Sequence, residues 1–148
     1  MPTIERTVET TADLDAVWSY LSDFTTTTEW DPGTVQTVHS SGDGGVGTTY
    51  ENTSEFNGRR TELTYTVVEH AAPHRIVLRG EGAQVVATDT MTLSAHGSGT
   101  RVHYRAVLEF RGLLGLVGPL MSLPLLNRPF VKLGDEAELG MRDALARL

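Results

Sequence analysis

The chain of 148 residues contains no cysteine. Disulfides, thiol nucleophiles and thiolate metal sites are therefore excluded together. Lysine is almost missing too: Lys132 stands alone, and there is no basic run. Twelve Lys and Arg face 19 Asp and Glu, for a net charge of −7. Nucleic-acid binding needs clustered cations against phosphates, and docking on anionic lipid needs a basic patch, so neither partner is expected. Met1-Pro2-Thr3-Ile4-Glu5 carries no apolar signal region, which predicts a cytoplasmic protein. No hydrophobic run is long enough to cross a membrane. The most apolar stretch, Leu113 to Leu126, falls short of the roughly 20 residues required, and Pro119, Pro124 and Pro129 interrupt that region. It reads as a buried or mouth-lining segment.

What is present suits one globular core: 39% hydrophobic and 21% charged residues at a length that one domain normally fills. Thr3 to Thr10 sets Ile4, Arg6 and Val8 against Glu5, Thr7 and Glu9, the period of a half-buried strand. Asp13 or Thr11 is placed to cap a helix bearing Leu14, Val17, Trp18 and Leu21 on one side. A short helical turn is expected over Phe24 to Glu29, a turn at Trp30-Asp31-Pro32-Gly33, and a strand over Val35 to His39. Gly42 to Gly47 has the spacing G-x-G-x-x-G, but a dinucleotide site needs a helix next, and Thr48-Thr49-Tyr50-Glu51 reads as strand. A glycine-rich hairpin turn fits better.

Asn57-Gly58 is a strong hairpin signal, because a tight turn of this hand needs positive φ at both positions. Counting outward pairs Phe56 with Arg59, Ser54 with Thr61, Asn52 with Leu63 and Tyr50 with Tyr65. A two-residue turn at Gly82-Ala83 would pair Leu78 with Ala87 and Ile76 with Asp89. A longer turn over Ala95 to Gly99 pairs Met91 with Tyr104, Asp89 with Ala106 and Ala87 with Leu108. One face then carries Ile76, Leu78, Val85, Ala87, Met91, Leu93, Val102, Tyr104, Leu108 and Phe110; the other is Thr-rich and charged. That is an antiparallel meander with one buried face. After Gly112 the period turns helical, with Phe130, Leu133, Ala137, Met141, Ala144, Leu145 and Leu148 on one stripe. Prolines 124 and 129 should interrupt this helix, so its regular part is expected from about Pro129 onward.

Strand, two short helices, six strands and a long C-terminal helix make an α+β chain in the order of the helix-grip fold. The chain resembles the START/Bet v 1-like superfamily (SRPBCC), and within it the polyketide cyclase/dehydrase-like branch. The resemblance is carried by Ala12 to Asp23, Glu29-Trp30-Asp31-Pro32-Gly33, Val46-Gly47-Thr48-Thr49-Tyr50 and Gly99-Thr100-Arg101-Val102, and it spans 1–148 as a single domain. It implies a curved antiparallel sheet wrapped around the C-terminal helix, with a cavity between them for a lipid, polyketide or aromatic ligand. Some members are cyclases or dehydratases.

Asp89 is the residue that carries most chemistry. The register sets its carboxylate on the apolar face between Ile76 and Ala106. Burial is costly for such a group unless it is paired, and raises its pKa, as suits a general acid or base. An ion pair with inward Arg6 or Arg59, or a strand irregularity that turns the side chain to solvent, is the plainer alternative. Tyr65 and Tyr104 also face inward, each with an apolar ring and one hydroxyl, suited to orienting a ligand or simply to packing. Asn52, Ser54, Arg59 and Thr61 make either a polar pocket end or a wet hairpin tip. Trp30, Tyr50, Phe56, Tyr65, Leu78, Asp89, Met91, Tyr104, Leu108, Leu120, Met121 and Phe130 are the expected ligand-lining set; in an enzyme, Asp89, Tyr65 and Tyr104 would be the catalytic group. His70 and His74 are four apart, but Pro73 denies them the helical face that a metal pair needs. No metal or cofactor is expected, and the oligomeric state is left open. Three functions compete: a binding protein for an apolar small molecule, a cyclase/dehydratase-type enzyme, and a module using its outer sheet face. The last ranks lowest, because that face shows no apolar patch.

Overall fold

The computed structural model describes residues 1–56, 58–112 and 124–148, with side chains 124–127 left aside. In chain order the elements are β1 (Thr3–Thr10), α1 (Leu14–Ser22), a 3-10 turn (Phe24–Thr26), α2 (Thr27–Trp30), β2 (Thr34–Ser41), β3 (Thr49–Phe56), β4 (Arg59–Ala71), β5 (Arg75–Glu81), β6 (Val85–His96), β7 (Gly99–Phe110) and α3 (Pro124–Leu145). The strands form one antiparallel sheet in the order β1-β7-β6-β5-β4-β3-β2. The sheet curves around α3, which runs along β1 and against α2. This is the helix-grip architecture.

Local chemistry explains most of these elements. The β3–β4 hairpin has the register that the Asn57-Gly58 count requires, from Phe56 opposite Arg59 to Tyr50 opposite Tyr65, and Gly58 takes φ +80°. Gly42, Gly44 and Gly47 also take positive φ, as a hairpin loop needs. The β6–β7 register matches its count as well, with Met91 opposite Tyr104 and Asp89 opposite Ala106, but the strands pair on to His96 opposite Gly99, so the turn is the two residues Gly97-Ser98 and not the longer one over Ala95 to Gly99.

Several expectations are corrected. The β5–β6 turn has four residues, closed by Gly82 N–H donating to the Val85 carbonyl at 2.9 Å. Leu78 therefore faces Asp89 and Ile76 faces Met91, two residues from the two-residue-turn register. A slip of two preserves the side-chain face, so Asp89 stays inward with a different neighbour. Asp13 sits at the N-cap of α1, yet its side chain makes no capping bond; Asp23 caps the next turn by accepting from Thr25 N–H at 3.1 Å. The C-terminal helix begins at Pro124 rather than near Pro129, and Pro129 lies inside it. Proline suits a first helical position, where its missing N–H has no partner to lose. Pro129 removes a single backbone bond near that end. Leu148 lies past the helix and is exposed rather than buried.

Two glycines seat α3. A Cβ on Gly140 would fall on the Trp30 carbonyl oxygen, and one on Gly134 would meet the Arg6 guanidinium. Arg6 donates to the Val131 carbonyl at 3.1 Å and to Asp135 Oδ1 at 2.9 Å, tying β1 to the helix. This also settles Arg6: its charge is spent on α3 and not on Asp89.

Candidate functional site

Between the inner sheet face and α3 lies a cavity of about 140 Å³, the room that a single benzene ring takes in other proteins. Its walls are mostly apolar, from Ile4 of β1, Leu63 of β4, Val85 and Ala87 of β6, Ala106, Leu108 and Phe110 of β7, and Phe130 and Leu133 of α3. Phe56 stacks on Phe130, ring centres 4.8 Å apart, and joins β3 to the helix at one wall.

Acidic oxygens converge on this space. Asp89 lines the cavity and is 5% exposed. The Tyr104 hydroxyl donates to Asp89 Oδ2 at 3.2 Å. Among the described residues no arginine pairs with Asp89: Arg6 is engaged by α3 and Arg59 is exposed. Burial pushes the Asp89 carboxyl up from 3.8 to about 7; the charge of Asp31 adds to the rise, and the Tyr104 hydrogen bond opposes it. Asp31 lines the same cavity. Its Oδ1 accepts from Gly33 N–H at 3.0 Å and its Oδ2 from the Thr34 hydroxyl at 3.0 Å. Although the residue is half-buried, its carboxyl group is packed round by protein, and burial raises its pKa against those two hydrogen bonds. Tyr65 is buried, and its ring rests against Gly80. Burial, then the fields of Asp89 and Asp31, hold the Tyr65 and Tyr104 phenols well above their ordinary pKa, so both stay neutral hydrogen-bonding groups.

The expected lining set divides. Phe56, Tyr65, Asp89, Tyr104, Leu108 and Phe130 border the cavity. Trp30 does not: it is buried in the core with its indole edge-on to Tyr104, 5.4 Å between ring centres. Its Nε1 is buried without a hydrogen-bond partner among the described residues. Tyr50 turns toward Phe24 and His39 and borders a separate outer cleft beside the 42–45 loop. Leu78 and Met91 are fully buried in the core cluster, away from the cavity. Leu120 and Met121, and the way 113–123 meets the mouth, lie outside the described residues. The polar cluster also divides. Ser54 and Thr61 reach the cavity wall. Asn52 is structural instead: it donates to Thr37 at 2.8 Å and accepts from Ser54 at 2.7 Å, in a chain that continues through Thr27 to the Phe24 carbonyl.

Asp31 was not among the expected site residues. Asp-Pro-Gly is a turn signature, and its hydrogen bonds to Gly33 and Thr34 are those of a turn-forming aspartate. Only the tertiary fold sets that carboxylate near Asp89. The histidines take other parts: His70 packs edge-on against Trp18, and a His74 ring nitrogen lies 3.0 Å from the Leu93 carbonyl.

A family model described as polyketide cyclase / dehydrase and lipid transport matches residues 1–147. No curated protein matches the sequence. Among solved structures, a protein from Thermus thermophilus superposes with a TM-score of 0.80 at 15% identity, over 99% of this chain and 98% of that one. A START superfamily protein from Mycobacterium smegmatis gives 0.78 at 13% identity, over 98% and 97%. An aromatase/cyclase from a Streptomyces species gives 0.72 at 14% identity, over 98% and 91%. At these identities the likeness is one of fold.

Proposed function

The chain belongs to the polyketide cyclase/dehydrase and lipid transport family, and from that premise we propose that it binds a hydrophobic or amphipathic small molecule in the cavity between sheet and α3. The observation that carries this reading is the cavity itself: a mostly apolar space with Asp89, Asp31, Tyr65 and Tyr104 grouped at one part of its wall. Apolar walls supply affinity through area removed from water, and a few convergent polar groups set orientation. The volume favours a ligand that buries about one ring at a time. Lipids, polyketides and aromatic compounds all contain such a portion.

A second reading is favoured by one specific observation, the Asp89 carboxyl raised to about 7 beside two neutral phenols. A group with that pKa takes or gives a proton near neutral pH. In a cyclase- or dehydratase-type reaction, Asp89 would remove a proton beside a carbonyl while Tyr65 donates to the carbonyl oxygen.

Native mass spectrometry of the purified protein, followed by solvent extraction, tests the first reading. A bound apolar molecule near one-to-one, absent from a Leu108→Trp variant whose cavity is filled, is the expected result. Equal retention by Leu108→Trp would place the ligand elsewhere and defeat the proposal. Asp89→Asn separates the two readings. A carrier keeps its affinity for an uncharged ligand, whereas an enzyme also loses turnover by at least about a hundredfold.

A further inference from the structure

The charged groups around the cavity have one sign. Asp31, Asp89 and Glu55 border it, and no Lys, Arg or His does so among the described residues. Segment 113–127 contains no charged residue, so it has no basic group to add. Glu55 stands at the rim, half-exposed and 3.8 Å from Arg60. The inner acceptors are less engaged. Asp89 Oδ2 accepts the hydrogen bond of the Tyr104 hydroxyl, while Oδ1 has no hydrogen-bond partner among the described residues. The Tyr65 hydroxyl likewise has none, though the residue is only 7% exposed and borders the cavity. Asp31 has both oxygens engaged once each, and a carboxylate oxygen can accept twice.

We propose that this cavity selects ligands carrying a protonated amine on an apolar body about one aromatic ring in size, the ammonium seated against Asp89 and the Tyr65 hydroxyl. The inference rests on the cavity-binding reading above and names its ligand class. An ammonium has three donors and no acceptor. The wall offers it Asp89 Oδ1, the Tyr65 oxygen and a second lone pair on Asp31. Tyr65, Tyr104 and Phe130 line the same cavity, so aromatic rings border the space a cation would enter. A ligand carboxylate would meet Asp31 and Asp89 with no compensating cation, so fatty acids and aryl acids are rejected. Among the described residues, the titratable groups facing Asp89 are Asp31 from the α2–β2 turn, Tyr65 from β4 and Tyr104 from β7, and none of them is a cation. An ammonium stabilises the ionised form of Asp89, so binding below about pH 7 releases a proton from it.

The test uses phenethylamine, 2-phenylethanol and 3-phenylpropionate, which share a ring and differ in charge, titrated into the full chain by calorimetry at pH 8 and pH 6. The expected result is amine over alcohol by at least tenfold at pH 8, with no binding of the acid. Amine affinity should fall about tenfold at pH 6, following the ionised fraction of Asp89, while alcohol affinity does not fall. Asp89→Asn should lower amine affinity at least tenfold at pH 8 and abolish its dependence on pH. The pH series on the unmodified chain gives the same information if that variant folds poorly. Equal binding of amine and alcohol, or preference for the acid, overturns the charge selection and leaves cavity binding standing. Failure of all three to bind at millimolar concentration overturns both.

Discussion

Within the inner face of the sheet, Ile76, Leu78, Met91, Leu93 and Val102 are sealed with Val17, Leu21, Met141 and Leu145 into one cluster, each at most 1% exposed. Further along β6 and β7, Ala87, Asp89, Tyr104 and Leu108 border the cavity, joined by Tyr65 of β4. On β6 the boundary falls between Asp89 and Met91, one pleat apart, roughly 7 Å. The strands do not change character there; what lies over them does. The first half packs beneath α1, which touches β6 and β7. The second is covered by Phe130 and Leu133 of α3, with space left beneath them. A sheet face becomes a core where a second layer meets it and a site where that layer stands off, and the polar groups gather on the stood-off side.

The sharpest contrast is in stability. Met91→Ala removes a fully buried side chain from the sealed half and should cost about 2–5 kcal/mol. Leu108→Ala only enlarges a space already present and should cost under about 1.5 kcal/mol. Urea melts of the two variants check the difference; equal losses would mean that the two halves are packed alike. Leu78→Trp belongs with the first class, because it overpacks the core and does not block the cavity.

Asp89 offers the next contrast, between pH values. Its carboxyl titrates near 3.8 in an unfolded chain and near 7 here, so the folded state holds the extra proton between those values. Its contribution to stability is therefore full below about pH 4 and is lost as pH rises through about 7. The whole cost above pH 7 approaches about 4 kcal/mol, at ~1.4 kcal/mol per pH unit of difference. Asp89→Asn still accepts from Tyr104 without the charge, so it should stabilise the protein by about 1–3 kcal/mol at pH 8 and hardly at all at pH 4. Denaturant melts at the two pH values decide it. Destabilisation at pH 8 would show that the ionised carboxylate has a partner that compensates its burial.

Much of this was legible in the sequence, and the reason differs by element. Period two placed Asp89, Tyr65 and Tyr104 on the inner face. It tolerates the error at Gly82-Ala83, because the missed pair of turn residues moved the register by an even number. The Asn57-Gly58 turn gave the β3–β4 register by local chemistry alone, and the β6–β7 pairs came out right although the turn there is shorter than expected, Gly97-Ser98. Periodicity treats Leu78 and Leu108 alike, as inward leucines of a meander; which one meets packed helix and which meets space depends on where α1 and α3 lie. Trp30 shows the same limit. Its position in the motif drew attention to the ring, while the next residue supplies the cavity with a carboxylate. Asp31 stayed hidden because its turn-forming role fully accounts for an Asp-Pro-Gly triplet. Helix prolines read as breaks by propensity alone, and Pro124 instead starts α3.

The smallest effect is the most exacting test of the divided face. Leu108→Trp enlarges a partly buried side chain into about 140 Å³ of space, so it should change stability by less than about 1.5 kcal/mol. The added ring buries apolar area, and that gain offsets most of the strain of fitting it. In the sealed half the same enlargement at Leu78 has no space to enter and should cost at least about 1–3 kcal/mol. Paired thermal melts of Leu108→Trp and Leu78→Trp compare the two directly. If Leu108→Trp is as damaging as Leu78→Trp, the space beside Asp89 is not available to a ring, and no ring-sized ligand could reach that carboxylate.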